Sequence, residues 1–168
     1  MILTNNVIFL DIDGVLNSTL KDTPRIKIID KDFVMTLDFI IIKEIEKILK
    51  ACESNKIKII LTTSHSINKP LKAWHDLTKR YFNIDSRKII IYSNNINEYK
   101  DRGEFILNMI EEFNAKEYLV IDDDIDDITP YVQSKSIMKT DSLTGISSYQ
   151  LSVLYRWMED PTIYHRNY

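Results

Sequence analysis

The chain has 168 residues, 44% of them hydrophobic and 28% charged, which suits one soluble globular domain with a core of its own. The formal net charge of −3 excludes binding to nucleic acid or an anionic membrane by overall charge and leaves only a local basic groove open. A single cysteine, Cys52, excludes an intramolecular disulfide, fits a reducing compartment, and reads as a small apolar residue on a helix face.

Taken in chain order, short apolar runs alternate with helical patterns, as in a βα succession around a parallel sheet. The predicted strands are VIFL (7–10), IKIIL (57–61), KIIIY (88–92) and YLVI (118–121), with a weaker one at SIMK (136–139). Their unbroken apolar character suits strands covered on both faces. Residues 15–37 follow the first strand and could hold a small β-flap or a loop. A helix over about 40–53 carries the stripe Ile41, Ile45, Ile48, Leu49 and Cys52. A second stripe comprises Leu71, Trp74, Leu77 and Tyr81, and a third Phe105, Ile106, Met109, Ile110 and Phe113. The last helix starts at Ser147, where SSYQ reads as a capping box, and turns Leu151, Leu154, Tyr155 and Met158 inward. Residues 159–168 form a polar, aromatic tail. The N-terminus lacks the pattern of a signal peptide, and no apolar run approaches the roughly 20 residues that span a bilayer. One cytoplasmic domain over residues 1–168, with no evident obligate protein partner, is expected.

Ligands of an open parallel sheet collect beyond the carboxyl ends of its strands. There the sequence puts Asp11 and Asp13 after the first strand, the hydroxyls of Thr62, Thr63 and Ser64 after the second, and Asp122 to Asp124 after the fourth. The stretch 122–127, DDDIDD, holds five carboxylates in six residues. Such carboxylates repel one another, which raises at least one pKa unless a cation intervenes. Mg²⁺, which takes oxygen ligands and keeps several waters, suits two or three carboxylates and a substrate phosphate. Gly14 permits a sharp exit from the strand and close approach of a substrate. Near residue 100, Asp101 reads as a helix cap answered by Glu104, with Lys100 and Arg102 flanking an anion-friendly helix start. Asp126 and Asp127 read as a solvated helix start.

These segments together resemble the haloacid dehalogenase (HAD) superfamily of aspartate-nucleophile phosphohydrolases. The first motif matches as DIDGVL, the second as IILTTSH and the fourth as YLVIDDD, and KTDSLTGISSYQL is similar to the segment before the final helix. The resemblance runs from Val7 to about Met158 and is nearest to small proteins beginning DxDGVLN, some of which accompany RNA-repair enzymes. It implies a three-layer Rossmann-like α/β fold with a central five-stranded parallel sheet, the first strand lying between the fourth and the second, and a minimal or absent cap.

Carried onto this chain, the resemblance makes Asp11 the nucleophile that forms an aspartyl-phosphate and Asp13 the general acid/base. A hydroxyl from Thr63, or from its neighbour Thr62, would bond the phosphoryl group, and Ser64 and His65 read as loop residues. Where the near relatives often carry Trp-Arg, this chain has His65-Ser66, so the resemblance does not support a substrate contact by that pair. The pattern of the near relatives favours Arg102 as the motif cation; the lysine commoner in the superfamily favours Lys100. Asp123 would bind the metal directly with the Asp11 carboxylate and the Asp13 carbonyl, while Asp122 holds a metal water or the cation. The substrate would be a phosphorylated molecule. The short interval after the first motif leaves room for a flap but not a helical cap, so an open site suits a nucleic-acid end. Lysines and arginines at 69, 72, 79, 80, 87 and 88 either serve that polymer or solvate a helix and its loop. Alternatives are a nucleotidase or small-metabolite phosphatase, and a binding or regulatory module of low activity. A receiver domain fits poorly, because its phosphorylated aspartate follows the third strand and KIIIYSNN has none.

Overall fold

The computed structural model describes residues 6–20, 24–30, 33–62, 71–91 and 99–162. The elements in chain order are β1 (Asn6–Leu10), β2 (Arg25–Asp30), β3 (Phe33–Asp38), α1 (Phe39–Asn55), β4 (Lys58–Leu61), α2 (Leu71–Phe82), β5 (Ile90–Ile91), α3 (Arg102–Glu112), β6 (Glu117–Asp122), β7 (Ile137–Lys139) and α4 (Ser148–Glu159). The main sheet runs β5-β4-β1-β6-β7, with every pairing parallel. β1 therefore lies between β4 and β6, as the resemblance implies. Four strands make the body of this sheet, and the fifth, β5, is a two-residue edge pairing. Of the apolar run KIIIY, Lys88 belongs to a single 3₁₀ turn, Ser86–Lys88, capped by the Asp85 side chain accepting from the Arg87 N–H, Ile90 and Ile91 form the strand, and Tyr92 lies outside the described residues.

Alternation along β1 divides the core in two. Ile8 and Leu10 face Ile45, Leu49 and Cys52 of α1 and Leu154, Trp157 and Met158 of α4, while Val7 and Phe9 face Phe105, Ile106 and Met109 of α3. Both faces are thus covered, which is why the strands read as unbroken apolar runs. The α1 stripe is buried as its spacing predicts, and burial pushes the Cys52 thiol up to about 12, leaving it an inert core residue. In the third stripe Phe105, Ile106 and Met109 are buried, and Ile110 and Phe113 are half-buried. The second stripe needs correction. Tyr81 is 49% exposed, and the side chains of Leu71, Trp74 and Leu77 lie outside the described residues. On α4 the capping box is present: the Ser147 hydroxyl accepts from the Gln150 N–H, and the Gln150 side-chain oxygen Oε1 accepts from the Ser147 N–H. Trp157, fully buried beside Met158, is a core anchor that the predicted stripe omits.

The flap expected within 15–37 is a two-stranded antiparallel hairpin, β2 with β3, pairing Arg25 with Asp38 and Asp30 with Phe33. Its base is tied to the segment after β1. The Asp38 carboxylate accepts from the Ser18 N–H at 2.8 Å and pairs with Arg25 at 3.4 Å, and Arg25 also donates to the carbonyls of Ser18 and Leu20. Among the described residues no helix is long and apolar enough to cross a membrane.

Candidate active site

β1 delivers Asp11 to the carboxyl edge of the sheet, where the Asp11 N–H donates to the Ile121 carbonyl of β6 and the Thr62 N–H donates to the Leu10 carbonyl. Asp11, Asp122 and Asp123 each offer a carboxylate oxygen within 4.8 Å of the others. Asp11 and Asp122 are almost wholly removed from solvent, and Asp123 is half-buried.

The close approach of Asp123 depends on the glycine after Asp13. Gly14 has φ +74°, and a Cβ there would stand 2.3 Å from Asp123 Cγ and 2.4 Å from its Oδ2. No other residue fits beneath that carboxylate.

Burial dominates the electrostatics. It raises the Asp11 carboxyl to about 6, with the charges of Asp13 and Asp123 adding to the rise and the Ile12 N–H and Arg102 opposing it. Burial likewise raises Asp122 to about 7, helped by Asp11 and opposed by Arg102 and the Asp124 N–H. A like-charged buried cluster of this kind is stabilised by a cation, and an all-oxygen donor set suits a hard one. The cluster fits a divalent metal.

Arg102, the first residue of α3, is the cation the chain itself supplies. Its Nη1 donates to both Asp122 oxygens at 3.0 and 3.1 Å, its Nη2 to Asp127 Oδ1 at 2.8 Å and to the Asp124 carbonyl at 2.7 Å, and its Nε to Asp127 Oδ2 at 3.1 Å. Burial works against the guanidinium charge, but the hydrogen bonds it donates to Asp127 and the charges of Asp122 and Asp127 more than offset it and hold Arg102 above its ordinary value. Partial burial also works against Asp127, yet its bonds from Arg102 keep that carboxyl below the usual range. Residues 126–131 form a turn instead of the expected helix start, and Asp127 is a partner of Arg102 and no mere solvated charge. The turn and α3 meet closely because residue 103 is glycine: a Cβ there would lie 2.3 Å from the Asp127 carbonyl oxygen and 2.5 Å from the Tyr131 ring.

Of the two candidate cations, Arg102 lies in the cluster and Lys100 is exposed. Asp101 caps α3 by accepting from the Glu104 N–H at 2.9 Å, and Glu104 answers one residue early, accepting from the Lys100 N–H at 2.7 Å. Thr62 is buried next to Asp11, and its hydroxyl has no hydrogen-bond partner among the described residues, a state that calls for an outside partner. Thr63, Ser64 and His65 lie outside the described residues. Two contributors escaped the sequence reading: Asp127, and Asn17, whose amide donates to Asp13 Oδ1 at 2.7 Å. Asn17 had a visible signal, its place four residues after Asp13.

Four of the basic residues, at 79, 80, 87 and 88, prove to be far from this edge. Lys58 starts β4 and donates to the Lys88 carbonyl, and Ile90 pairs with Ile59, so Arg87 and Lys88 stand at the amino end of the strands. Lys79 and Arg80, in the last turn of α2, lead to the same end. Residue 69 lies outside the described residues, as does the side chain of Lys72.

Residues 7–151 match the family described as the HAD domain in Swiss Army Knife RNA repair proteins. The chain belongs to this family. No curated protein matches it. As a HAD domain, the chain carries a fold that suits phosphohydrolase-type activity, and its acidic group stands at the carboxyl edge where that chemistry is done.

Proposed function

We propose that this HAD domain is a Mg²⁺-dependent phosphomonoesterase that works through an aspartyl-phosphate on Asp11, with a phosphorylated nucleic-acid end as its substrate. The observation that carries the reading is the convergence of Asp11, Asp122 and Asp123 at the carboxyl edge of the central strands, with Gly14 making room for Asp123.

In this mechanism an oxygen of the Asp11 carboxylate forms a bond to phosphorus while the ester P–O bond breaks. Asp13 gives its proton to the departing oxygen, then takes one from the water that attacks phosphorus and frees Asp11. The Thr62 hydroxyl donates to a phosphoryl oxygen, which would satisfy the one polar atom of that strand end left without a partner among the described residues. Arg102, gripped by Asp122 and Asp127, offsets charge beside Asp11 and keeps Asp122 in place. Asp11, Asp123 and the Asp13 carbonyl would hold Mg²⁺, which when bound neutralises the carboxylates and the phosphoryl oxygens.

For the substrate, the support is the family's association with RNA repair, together with the hairpin as the regular structure between β1 and α1 among the described residues. A hairpin leaves the site more open than a helical cap would. The basic residues at 79, 80, 87 and 88 lend this reading nothing, because they stand at the other end of the sheet.

The test is phosphate release from 5′- and 3′-phosphorylated oligonucleotides and from the matching mononucleotides, with and without Mg²⁺, by the wild type and Asp11→Asn. Metal-dependent release that Asp11→Asn lacks and that favours the oligonucleotide in kcat/KM is expected. A preference for the mononucleotide would transfer the chain to the nucleotidase reading, and full activity in Asp11→Asn would remove the mechanism.

A further inference from the structure

We propose that Asn17 is the positioning residue for Asp13, holding its carboxyl group where it can pass a proton to the leaving oxygen. The proposal rests on the phosphomonoesterase reading above. It starts from a turn. The Ile12 carbonyl accepts from the N–H groups of Val15, Leu16 and Asn17 at 3.2, 2.8 and 3.3 Å, which coils the backbone after β1 and returns residue 17 over residue 13, where the two form a bridge. From there the Asn17 amide reaches both ways. Its Nδ2 donates to Asp13 Oδ1 at 2.7 Å, and its Oδ1 accepts from the Gly14 N–H at 3.0 Å.

The partners dictate the orientation of that amide. A backbone N–H only donates and a carboxylate only accepts, so the oxygen must face Gly14 and the nitrogen Asp13. A side chain that donates from one atom and accepts at another is needed, and asparagine is the shortest that does so without charge.

The turn that carries Asn17 is itself anchored by separate parts of the chain. The Gly14 carbonyl accepts from the Thr140 hydroxyl at 2.9 Å, and the Val15 carbonyl accepts from the Ile146 N–H at 2.9 Å. Ser18 donates to Asp38 at the base of the hairpin at 2.8 Å, and the Thr19 N–H donates to the Ser142 carbonyl at 3.0 Å. The backbone that carries Asn17 is therefore held at several points, while the side chains of Asn17 and Asp13 are both half-buried. Fixing the Asp13 carboxyl from a rigid turn is what a proton donor needs, since a displacement of about 1 Å can cost on the order of a hundredfold in rate.

A positioning role and a purely structural one separate by leaving group. An alkyl phosphate departs as an alkoxide that must be protonated as the P–O bond breaks, whereas p-nitrophenolate leaves as a stable anion and needs no acid. The quantity to compare is kcat/KM, which covers the steps up to the first irreversible one, formation of the aspartyl-phosphate. Asn17→Ala should lower kcat/KM by about 30–100-fold on an alkyl phosphate but by less than about 3-fold on p-nitrophenyl phosphate. Asn17→Leu keeps the volume of the side chain and removes the donor to Asp13 without setting a charge beside it, so the same selective loss is expected there; it decides the matter if Asn17→Ala does not fold. Equal losses on the two substrates, or none, would overturn the proposal and leave Asn17 as a turn residue. Asp13→Asn, measured alongside, locates the fault. If it shows the leaving-group selectivity and the Asn17 variants do not, only the Asn17 proposal falls; if it shows none, the acid role of Asp13 falls and takes Asn17 with it.

Discussion

Gly14→Ala tests the metal centre through a single methyl group. At φ +74° an alanine costs about 1–2 kcal/mol of backbone strain, which for a chain of this size lowers the thermal midpoint by about 2–8 °C. The steric effect is sharper. The new Cβ would lie 2.3, 2.4 and 2.8 Å from Cγ, Oδ2 and Oδ1 of Asp123, against about 3.5–4.0 Å for an ordinary contact. The carboxylate would have to withdraw by about 1 Å or more, whereas metal–ligand distances tolerate only about 0.2 Å. At a hundredfold excess of Mg²⁺ over its Kd, binding stabilises the wild type by about 2.7 kcal/mol, a rise of about 5–11 °C. The variant should keep its fold, melt lower without metal, and lose most of that rise. The assay is thermal unfolding with and without millimolar Mg²⁺, with Asp126→Ala as a surface control. A Gly14→Ala protein with the full Mg²⁺-induced rise would refute the placing of Asp123 at the metal.

Asp11→Asn should abolish phosphate release while circular dichroism stays that of the wild type, because an amide does not attack phosphorus usefully. Asp123→Ala should blunt the Mg²⁺-induced rise in thermal midpoint more than Asp126→Ala or Asp127→Ala; the reverse order would put the metal ligand on the later turn. Gly103→Ala should cost about 1–3 kcal/mol through overpacking against the Asp127 carbonyl and the Tyr131 ring, read as a lower midpoint in urea unfolding. Reversing charge at Lys79, Arg80 and Lys88 together should leave kcat/KM on a phosphorylated oligonucleotide within about twofold, since those side chains stand at the amino end of the sheet; a large loss would show that a polymer wraps around that edge.

Much of the fold can be read from apolar runs because the central strands β4, β1 and β6 are covered on both faces, so burial is written into three or four consecutive residues of each. The caps of α3 and α4 are equally legible, since Asp101 and Ser147 act within three residues of themselves. What fails is whatever depends on a distant partner. KIIIY has the composition of a strand, but the 3₁₀ turn at Ser86–Lys88 takes up its start and leaves Ile90 and Ile91 to pair with β4. Asp127 reads as a solvated charge until α3 brings Arg102 against it. The choice between Thr62 and Thr63 turns on one residue of register. The pairing of Leu10 with Leu61 puts Thr62 beside Asp11, which no local pattern shows, and Thr63 lies outside the described residues. Tyr81 fits a helical stripe by spacing and still faces solvent, as large amphipathic side chains often do.

The way this chain spends glycine follows from the same geometry. It has three glycines in 168 residues, yet its backbone takes a positive φ at Lys56, Asn83 and Asn114 as well. Each of these follows the last turn of a helix, where the strain is small and space is open, and where asparagine in particular tolerates the left-handed region. Glycine is not required there, and the chain does without it. At Gly14 and Gly103 the demand is different, because the nearest atom to an added Cβ would lie at 2.3 Å in both cases. One contact lets Asp123 come up beneath the turn after Asp11, and the other lets the Asp127 turn close on the helix that begins with Arg102. The two glycines therefore set the spacing of the acidic cluster, one at Asp123 and one at the turn that holds Arg102. Substituting either should disturb the site before it unfolds the core, because an added Cβ would press first on Asp123 at one position and on Asp127 and Tyr131 at the other. The two should differ in kind. Gly14→Ala should remove the response to Mg²⁺, while Gly103→Ala, which leaves Asp11 and Asp123 in place, should keep that response and lose activity through a displaced Arg102.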